Sequence, residues 1–449
     1  MPVHLEAKPA FSLVDEPLAI RIAGLEKGQR VVVRAETRDG ALKAWSSQAT
    51  FVASEDGVVD LTTDAPVSGS YGGIDPIGLL WSMTPSDPNQ KTYFSKRKPG
   101  PLAVTVAVGD GEKTYAECKV QRGFKAPGVT SRALDEDGLV GTLFIPESSE
   151  PAPAVIVLNG SDGGMNEHAA ALLASRGYAT LALAYFGLEG LPPNLLRIPL
   201  EYFGDALGWM RRQAEVDPDA IAVAGHSRGG ELALQVGATF PEVRAVIAGA
   251  PSSVRQSALV NYRPSSREPA WTLASSAMPF LPYRQSFGDA LGFMASWAMR
   301  RQYYQAAIFE RMMRDEGAVA RATIEVEKIN GPVLLISGAV DQLWPSAQYA
   351  EKVMDRLRAH DHPFAYQHAS YEGVGHFACF PYGLPSMPPM LVISPVKGLQ
   401  IGFGGTAERT ARATEDAWRQ IQQFLRASLR PQAAQPTSER VPTPARRSD

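Results

Sequence analysis

The chain has 449 residues, of which 45% are hydrophobic and 20% are charged, and its formal net charge is −3. This composition is that of an ordinary globular protein, and at this length two domains are the first expectation. The near-neutral charge does not indicate a generic polyanion binder, so no nucleic-acid partner is expected, and the alternative of a local basic patch stays open.

The N-terminus, MPVHLEAKPAFSLVDEPLAIRI, interleaves charged and apolar residues. It has no basic segment followed by an apolar core, so it does not resemble a signal peptide. No apolar stretch is long enough to span a bilayer, and Cys118 and Cys379 have no spacing typical of metal ligands. We therefore predict a cytoplasmic protein with no membrane span, no metal and no cofactor; its oligomeric state is left open.

Residues 1–126 consist of short alternating segments, including LAIRIAG, RVVVRAET and LAVTVAVGD, separated by Gly, Asp and Pro. Alternation of apolar and polar residues is typical of antiparallel strands with one solvated face. This part of the chain is predicted to be an all-β, immunoglobulin-like sandwich domain.

Residues 127–430 show a different pattern, in which continuous apolar strands such as AVIVLNG and YATLALAYF alternate with helical segments. Buried strands alternating with helices predict a mainly parallel sheet, hence an α/β domain. A long aromatic interruption at about 252–330 is interpreted as a cap over the sheet edge that binds ligands, with ordinary packing helices as the alternative. The Pro/Ser/Arg-rich residues 431–449 are predicted to be a disordered tail.

The most informative motif is Gly225-His226-Ser227-Arg228-Gly229, which follows the strand IAVA and precedes the helical segment ELALQV. A G-x-S-x-G sequence between a strand and a helix is the nucleophile elbow of the α/β-hydrolase fold. Its small residues permit a tight turn that exposes the serine hydroxyl at a helix N-terminus. Ser227 is therefore the candidate nucleophile; the alternative is a glycine-rich turn without a catalytic role.

A serine nucleophile needs a base and an orienting acid, which in this fold follow in the order Asp or Glu, then His. Asp341 stands directly after the apolar strand PVLLISGAV, and His376 lies in the Gly-bounded loop YEGVGHF. These two are the candidate acid and base, although Asp341 alone would also suit a turn. His226 would point away from the hydroxyl, and the other histidines are more consistent with structural roles: His360, His362 and His368.

Backbone N–H groups must stabilise the oxyanion of an acyl-transfer reaction. One candidate donor is Arg228, immediately after the nucleophile, and the others are in the loop NGSDGG that follows the strand AVIVL. Within that loop Ser161 is favoured and Gly160 is next. The alternative is a simple glycine-rich turn.

Several of these strings resemble one family, the acyl-CoA thioesterases related to bile acid-CoA:amino acid N-acyltransferase. They include GSYGGIDPIGLLWSM, NGSDGG, GHSRGGELAL, VDQLWPSAQYAE and GVGHF. The resemblance covers nearly the whole chain. It implies a β-sandwich followed by an α/β-hydrolase domain, an acyl-CoA thioester as the small-molecule substrate, no metal, and Ser227, Asp341 and His376 as the triad.

Within this family the nucleophile is serine in the thioesterases and cysteine in the amino-acid-conjugating enzymes. The serine of this chain thus favours hydrolysis to a free acid and CoA through an acyl-Ser227 intermediate. The alternatives are acyl transfer to an amine or alcohol, an esterase, lactonase or peptidase acting on a substrate unrelated to CoA, and a non-catalytic binding protein.

Arg228, Arg255 and Arg263 are candidates to contact the CoA phosphates, although surface arginine is usually only solvated. The aromatic residues of the interruption would suit a long acyl chain, although such residues more often form core.

Overall fold

The structure is a computed structural model, and it describes residues 2–87, 89, 93–96, 98–379, 387, 390–392 and 399–429. The predicted tail, 431–449, lies outside the described residues. No helix within the described ranges is long and apolar enough to cross a bilayer.

The first 123 residues are rich in β-strands. In chain order the described elements are β1 (His4–Lys8), β2 (Phe11–Leu13), β3 (Ala19–Ala23), β4 (Arg30–Arg38), β5 (Ala44–Val52), β6 (Val59–Asp60), β7 (Ser68–Gly69), α1 (Gly78–Trp81), β8 (Thr84–Pro85), β9 (Leu102–Gly109) and β10 (Thr114–Gly123). They form a sheet in the order β1-β3-β6 and a larger sheet in the order β2-β10-β9-β4-β5-β7, with β8 paired to β5.

The alternation of apolar and polar residues in the sequence corresponds to alternating buried and exposed side chains in these strands. In β4 the residues Val31, Val33 and Ala35 are fully buried and their neighbours are not, because successive side chains of a strand point to opposite faces. These side chains share one apolar core with residues of the smaller sheet, such as Ile20 and Ile22. The immunoglobulin-like topology and the boundary at residue 126 stay predictions.

The rest of the chain alternates between strands and helices. In chain order the described elements are β11 (Thr130–Glu136), β12 (Leu139–Ile145), β13 (Ala152–Leu158), α2 (Glu167–Ala174), β14 (Ala179–Ala184), β15 (Ile198–Pro199), α3 (Glu201–Arg211), β16 (Val216–His226), α4 (Arg228–Thr239), β17 (Ala245–Gly249), β18 (Ser257–Val260), β19 (Arg263–Pro269), β20 (Trp271–Leu273), β21 (Ser276–Ala277), α5 (Phe287–Ala298), β22 (Gln302–Tyr303), α6 (Ala306–Met312), α7 (Glu316–Ala322), the 3₁₀ helix η1 (Val326–Lys328), β23 (Val333–Gly338), α8 (Ser346–Ala359), β24 (Tyr366–Tyr371), β25 (Met390–Val392), β26 (Gln400–Gly402) and α9 (Ala407–Leu429).

Eight of these strands form one sheet in the order β11-β12-β14-β13-β16-β17-β23-β24. Within this sheet, as far as the structure describes it, only the pairings β11 to β12 and β12 to β14 are antiparallel. Every residue of β13, β14 and β23 is buried, since helices cover both faces of the sheet. Helices α3, α4 and α8 pack on one face, and α2 and α9 on the other. The predicted α/β class with a mainly parallel sheet is thus confirmed.

The predicted interruption, about 252–330, separates β17 from β23. It contains the hairpin β18–β19, the short strands β20 to β22, and helices α5, α6 and α7. The segment thus contains strands as well as helices. Its role as a cap stays a prediction.

A buried carboxylate joins the β-rich region to the α/β region. Asp15, whose side chain is 3% exposed, accepts hydrogen bonds from the guanidinium of Arg176 at 2.5 and 2.9 Å. The indole N–H of Trp418, in α9, donates to the same carboxylate at 2.8 Å. The two regions are thus fixed to each other by a charged group that solvent scarcely reaches.

Candidate active site

The turn between β16 and α4 has the geometry that its sequence predicts. Ser227 has φ 59° and ψ −122°, a strained conformation for a residue with a side chain. A Cβ atom on Gly229 would lie 2.5 Å from the carbonyl oxygen of Asn159, and one on Gly230 would lie 2.5 Å from that of Gly249. Only glycine fits at these two positions, so the small residues are a condition for the sharp turn at Ser227.

The predicted base and acid are hydrogen-bonded. Nδ1 of His376 donates to Oδ2 of Asp341 at 2.8 Å, and both side chains are nearly inaccessible to solvent. Asp341 also accepts from the hydroxyl of Ser346 at 2.7 Å and from the backbone N–H of Leu343 at 2.9 Å. These contacts fix the carboxylate, which in turn fixes the tautomer and the orientation of the imidazole.

The second imidazole nitrogen is available. Nε2 of His376 is buried and has no hydrogen-bond partner within the described part of the chain. His376 and Ser227 line the same cleft. Ser227 follows β16, Asp341 follows β23 and His376 follows β24, so the parallel sheet brings the three residues to its carboxyl edge.

The predicted oxyanion loop lies against the turn that carries Ser227. A Cβ atom on Gly160 would be 3.6 Å from Cβ of Ser227 and 3.3 Å from the carbonyl oxygen of His226. No hydrogen bond of the described backbone uses the N–H of Gly160, Ser161 or Arg228. These three groups are thus free to donate to a ligand oxygen, and their role as an oxyanion hole stays a prediction.

His226 has a structural role that the sequence did not indicate. Its Nε2 lies 2.8 Å from the backbone carbonyl oxygen of His376, and its ring stacks on Phe377 at 5.6 Å between centroids. Burial, and secondarily the neighbouring His376, lowers the pKa of His226 to about 3. The ring is therefore neutral near pH 7, and its Nε2–H donates to the carbonyl oxygen. The only sequence signal was its position next to Ser227.

A buried ion pair connects the elbow to the predicted cap. Nη1 of Arg228 lies 2.7 Å from Oε2 of Glu231, and its Nη2 donates to the carbonyl oxygen of Ser257 at 3.1 Å. The indole of Trp271 donates to Oε1 of Glu231 at 2.8 Å. Burial raises the pKa of Glu231, although Arg228 favours its ionised form. The elbow and the segment 256–271 are thus held together by one polar network.

The hypothesis that Arg228 and Arg255 contact phosphates finds no support in these contacts. The guanidinium of Arg255 is also buried, and it donates to the carbonyl oxygens of Pro279 at 2.7 Å and Arg321 at 2.9 Å. Both arginines already have partners inside the protein. Arg228 and Arg263 both line the cleft, and of the two Arg263 is the exposed one.

The cleft around Ser227 is large, with a volume of about 3150 Å³, well above the few hundred cubic ångströms of a drug-sized pocket. The β-rich region and the segment 252–330 both contribute to its walls. Near His376 the lining is aromatic and includes Trp344, Phe377 and Phe403. Among the described residues no cluster of His, Cys, Asp and Glu has the arrangement of a metal site.

The α/β fold, with its mainly parallel sheet, and this site define an enzyme of the hydrolase type. Residues 15–136 match the family model "Acyl-CoA thioester hydrolase/BAAT N-terminal region", and residues 198–431 match "BAAT / Acyl-CoA thioester hydrolase C terminal". The chain belongs to this family, and the resemblance seen in its motifs is confirmed.

Individual relatives differ in the reaction that their names describe. Mouse acyl-coenzyme A amino acid N-acyltransferase 2 is 30% identical over 440 residues, which cover 96% of this chain and 98% of the relative. Mouse acyl-coenzyme A thioesterase 6 is 32% identical over 437 residues, with coverages of 96% and 97%. The mouse peroxisomal succinyl-coenzyme A thioesterase is 31% identical over 422 residues, with coverages of 92% and 93%. Since one relative is peroxisomal, the cytoplasmic location of this chain stays a prediction.

Proposed function

We propose that this protein hydrolyses acyl-CoA thioesters through an acyl-Ser227 intermediate on an α/β-hydrolase fold. The observation that carries the proposal is the state of His376. Its Nδ1 is held by Asp341, while its Nε2 is buried, without a partner among the described residues, and in the same cleft as Ser227. A fixed imidazole with one available nitrogen, in the same cleft as a strained serine, is suited to general-base activation of a hydroxyl.

In the first half of the reaction, Nε2 of His376 accepts the hydroxyl proton as Oγ of Ser227 attacks the thioester carbonyl carbon. Asp341 stabilises the imidazolium, and the N–H groups of Arg228, Ser161 and Gly160 donate to the oxyanion. The carbon–sulfur bond then breaks, and the thiolate takes the proton from His376 to leave as CoA thiol. The acyl group remains as an ester of Ser227.

In the second half, water attacks the acyl ester while Nε2 of His376 removes one of its protons. The new oxyanion occupies the same backbone donors. The bond to Oγ then breaks, Oγ recovers its proton from His376, and the carboxylic acid leaves. The charges balance at each step without a metal or an added cofactor.

Two observations support a CoA thioester as the substrate. The cleft is large enough for a ligand with both a nucleotide and an acyl part, and the relatives described above are acyl-CoA enzymes. The aromatic lining beside His376 is suited to the acyl part. We propose that the segment 252–330 forms a cap that shapes this end of the cleft, and that the β-rich domain, 1–126, forms the opposite wall.

Hydrolysis is favoured over acyl transfer because the nucleophile is serine. An oxygen ester is less reactive toward an amine than the thioester that a cysteine would form. Acyl transfer to an amino acid is the second candidate, since one relative is named as an acyl-coenzyme A amino acid N-acyltransferase.

The test is CoA thiol release from a panel of short-chain, long-chain and aromatic acyl-CoAs, with and without glycine or taurine. Ser227→Ala should lower kcat/KM by about 10⁴-fold or more, since a nucleophile is lost. Ser266→Ala, at an exposed position in the same cleft, is the matched control and should retain activity. Free acid as the product supports hydrolysis, and an amide conjugate supports transfer. If no acyl-CoA releases thiol, the CoA proposal fails, and a panel of esters, lactones and peptides then identifies the substrate of the triad.

A further inference from the structure

Helix α5 (Phe287–Ala298) lies at the rim of the cleft. Its N-terminus has a capping box, in which Ser286 and Asp289 exchange hydrogen bonds, so the helix is well defined. Ala290, Phe293 and Met294 line the cleft. None of the twelve residues of the helix is buried.

Helix α5 turns its apolar side toward solvent and its other side toward the protein. The residues that are partly covered are Asp289, Phe293 and Ser296, which share one side of the helix at 3.6 residues per turn. The opposite side carries three large apolar residues that are exposed: Phe287 at 79%, Leu291 at 46% and Met294 at 56%. A helix on a globular protein normally turns its apolar stripe toward the core.

Specific contacts fix this orientation. The carboxylate of Asp289 contacts the guanidinium of Arg311 in α6, and Phe293 packs edge-on against Tyr303 at 5.3 Å between ring centroids. Both contacts lie on the inward side of the helix. The apolar stripe therefore points outward while the helix is docked.

The surroundings of the stripe are basic. Trp297 and Met299 extend the apolar surface, with exposures of 49% and 54%, and the exposed Arg300 and Arg301 follow directly. Within the segment 252–330 there are ten basic and seven acidic residues, a net charge of +3, whereas the whole chain is at −3. The positive charge is thus concentrated in the segment that presents the apolar helix.

We propose that the outward face of α5, together with Arg300 and Arg301, binds the surface of an anionic lipid bilayer. A helix with a wide apolar face, a tryptophan and flanking arginines lies in the plane of a membrane interface, where the apolar side chains enter the headgroup boundary and the guanidinium groups contact lipid phosphates. The local excess of positive charge is what favours an anionic bilayer over another occupant. Because α5 forms part of the cleft rim, docking places the mouth of the cleft at the lipid surface. This inference does not depend on the proposed reaction.

The test is co-sedimentation of the full chain with phosphatidylcholine vesicles, with or without phosphatidylglycerol. The double variant Phe287→Ser/Leu291→Ser removes the two exposed apolar groups of the stripe that lie outside the cleft lining, and it should weaken partitioning roughly tenfold or more. Arg300→Gln/Arg301→Gln should weaken binding to the anionic vesicles by a similar factor. Leu42→Ser/Val67→Ser is the matched control, because it removes two exposed apolar groups far from α5 in sequence and outside the cleft lining.

Binding that requires phosphatidylglycerol and that is lost in both α5 variants but retained in the control supports the proposal. Three results overturn it: no binding of the wild type to either vesicle, equal binding of the wild type and Phe287→Ser/Leu291→Ser, or a wild-type dimer that this variant converts to a monomer. The last result would show that a second copy of the chain covers the stripe. Circular dichroism of each variant separates loss of binding from loss of fold.

Discussion

His226 donates its imidazole Nε2–H to the backbone carbonyl oxygen of His376 over 2.8 Å. The residue before the candidate nucleophile thus supports the loop that carries the candidate base, across 150 positions of the sequence. Since the pKa of His226 is lowered to about 3, the ring remains a neutral donor near pH 7. His226 is a positioning residue rather than a second base.

Replacing His226 should therefore lower kcat more than it changes KM. In His226→Phe the ring still packs on Phe377, but the carbonyl oxygen of His376 loses its donor, and we expect kcat to fall roughly tenfold through misplacement of the base. His226→Gln retains an N–H donor and should restore part of the activity. Steady-state kinetics of the wild type and the two variants with one acyl-CoA decides this, and an unchanged kcat in His226→Phe would contradict the positioning role.

Asp341→Asn should preserve the fold and remove most of the activity. The amide retains the shape of the carboxylate, but it neither stabilises the imidazolium nor imposes the tautomer that leaves Nε2 of His376 as an acceptor. A loss of about 10³–10⁴-fold in kcat is expected from this change. Pre-steady-state thiol release measures the acylation step directly, and Glu351→Gln, at an exposed position in α8, serves as the control.

A methyl group on Gly160 should interfere with the reaction, and it also comes within 3.3 Å of the backbone carbonyl oxygen of His226. In Gly160→Ala the new Cβ lies 3.6 Å from Cβ of Ser227 and crowds the position expected for the oxyanion. We expect kcat/KM to fall roughly tenfold to a hundredfold. Gly72→Ala is the matched control, because a Cβ there has no neighbour within 4 Å. Unchanged activity of Gly160→Ala would argue against this loop as the source of oxyanion donors.

Two buried histidines should make the protein less stable in mild acid. Burial, and secondarily Lys96, lowers the pKa of His168 from 6.5 to about 4, and the pKa of His226 is lowered to about 3. Between pH 6.5 and about 4 the unfolded chain binds protons at both residues and the folded chain does not. The contribution of these two histidines to the free energy of unfolding is therefore fully present above pH 6.5. It falls on acidification, by up to about 1.4 kcal/mol per pH unit for each residue.

The measurement is the urea midpoint of wild type, His168→Phe and His226→Phe across this pH range. Each variant should show a shallower dependence on pH than the wild type, whatever its stability at neutral pH. Leu42→Ser, at an exposed position without a titratable group, should leave the slope unchanged. Parallel curves for all four proteins would refute the assignment.

Asp15 should be a main determinant of the contact between the β-rich and α/β regions. Asp15→Asn leaves the guanidinium of Arg176 without its buried counter-ion, and we expect a loss of about 2–4 kcal/mol in the free energy of unfolding. Glu16→Gln is the matched control, because Glu16 contacts the same arginine at 3.3 Å but is 38% exposed, so its loss should cost less than about 1 kcal/mol. Urea unfolding followed by tryptophan fluorescence compares the two, and equal losses would contradict the special role of Asp15.

The sequence predicted those parts of the site that depend on local order. Ser227 was identifiable because the tight turn requires its glycines, and Asp341 and His376 because each follows an apolar strand. A parallel sheet converts such positions into neighbours without any information about side-chain contacts. The strand predicted from FAYQHAS is β24, and it carries the loop of His376 as expected.

Contacts between distant segments were not predictable. No local sequence pattern indicates that His226 contacts the carbonyl group of His376, or that Arg228 contacts that of Ser257. The burial of Arg228 and Arg255 was not predictable either, because an arginine is usually exposed and only the fold shows the buried carbonyl groups around them. The orientation of helix α5 was not predictable either. Its apolar stripe has the sequence pattern of a buried helix, and yet the stripe faces outward.

Helix α9 is the last part of the cleft wall to be synthesised. Thr410, Thr414 and Trp418 of this helix line the cleft, and Trp418 also holds Asp15. Synthesis proceeds from the N-terminus, so the ribosome makes all three candidate triad residues before it makes this wall. A nascent chain that already contains Ser227, Asp341 and His376 therefore still lacks one side of its cleft, and the enclosed site is completed only when α9 has emerged and docked.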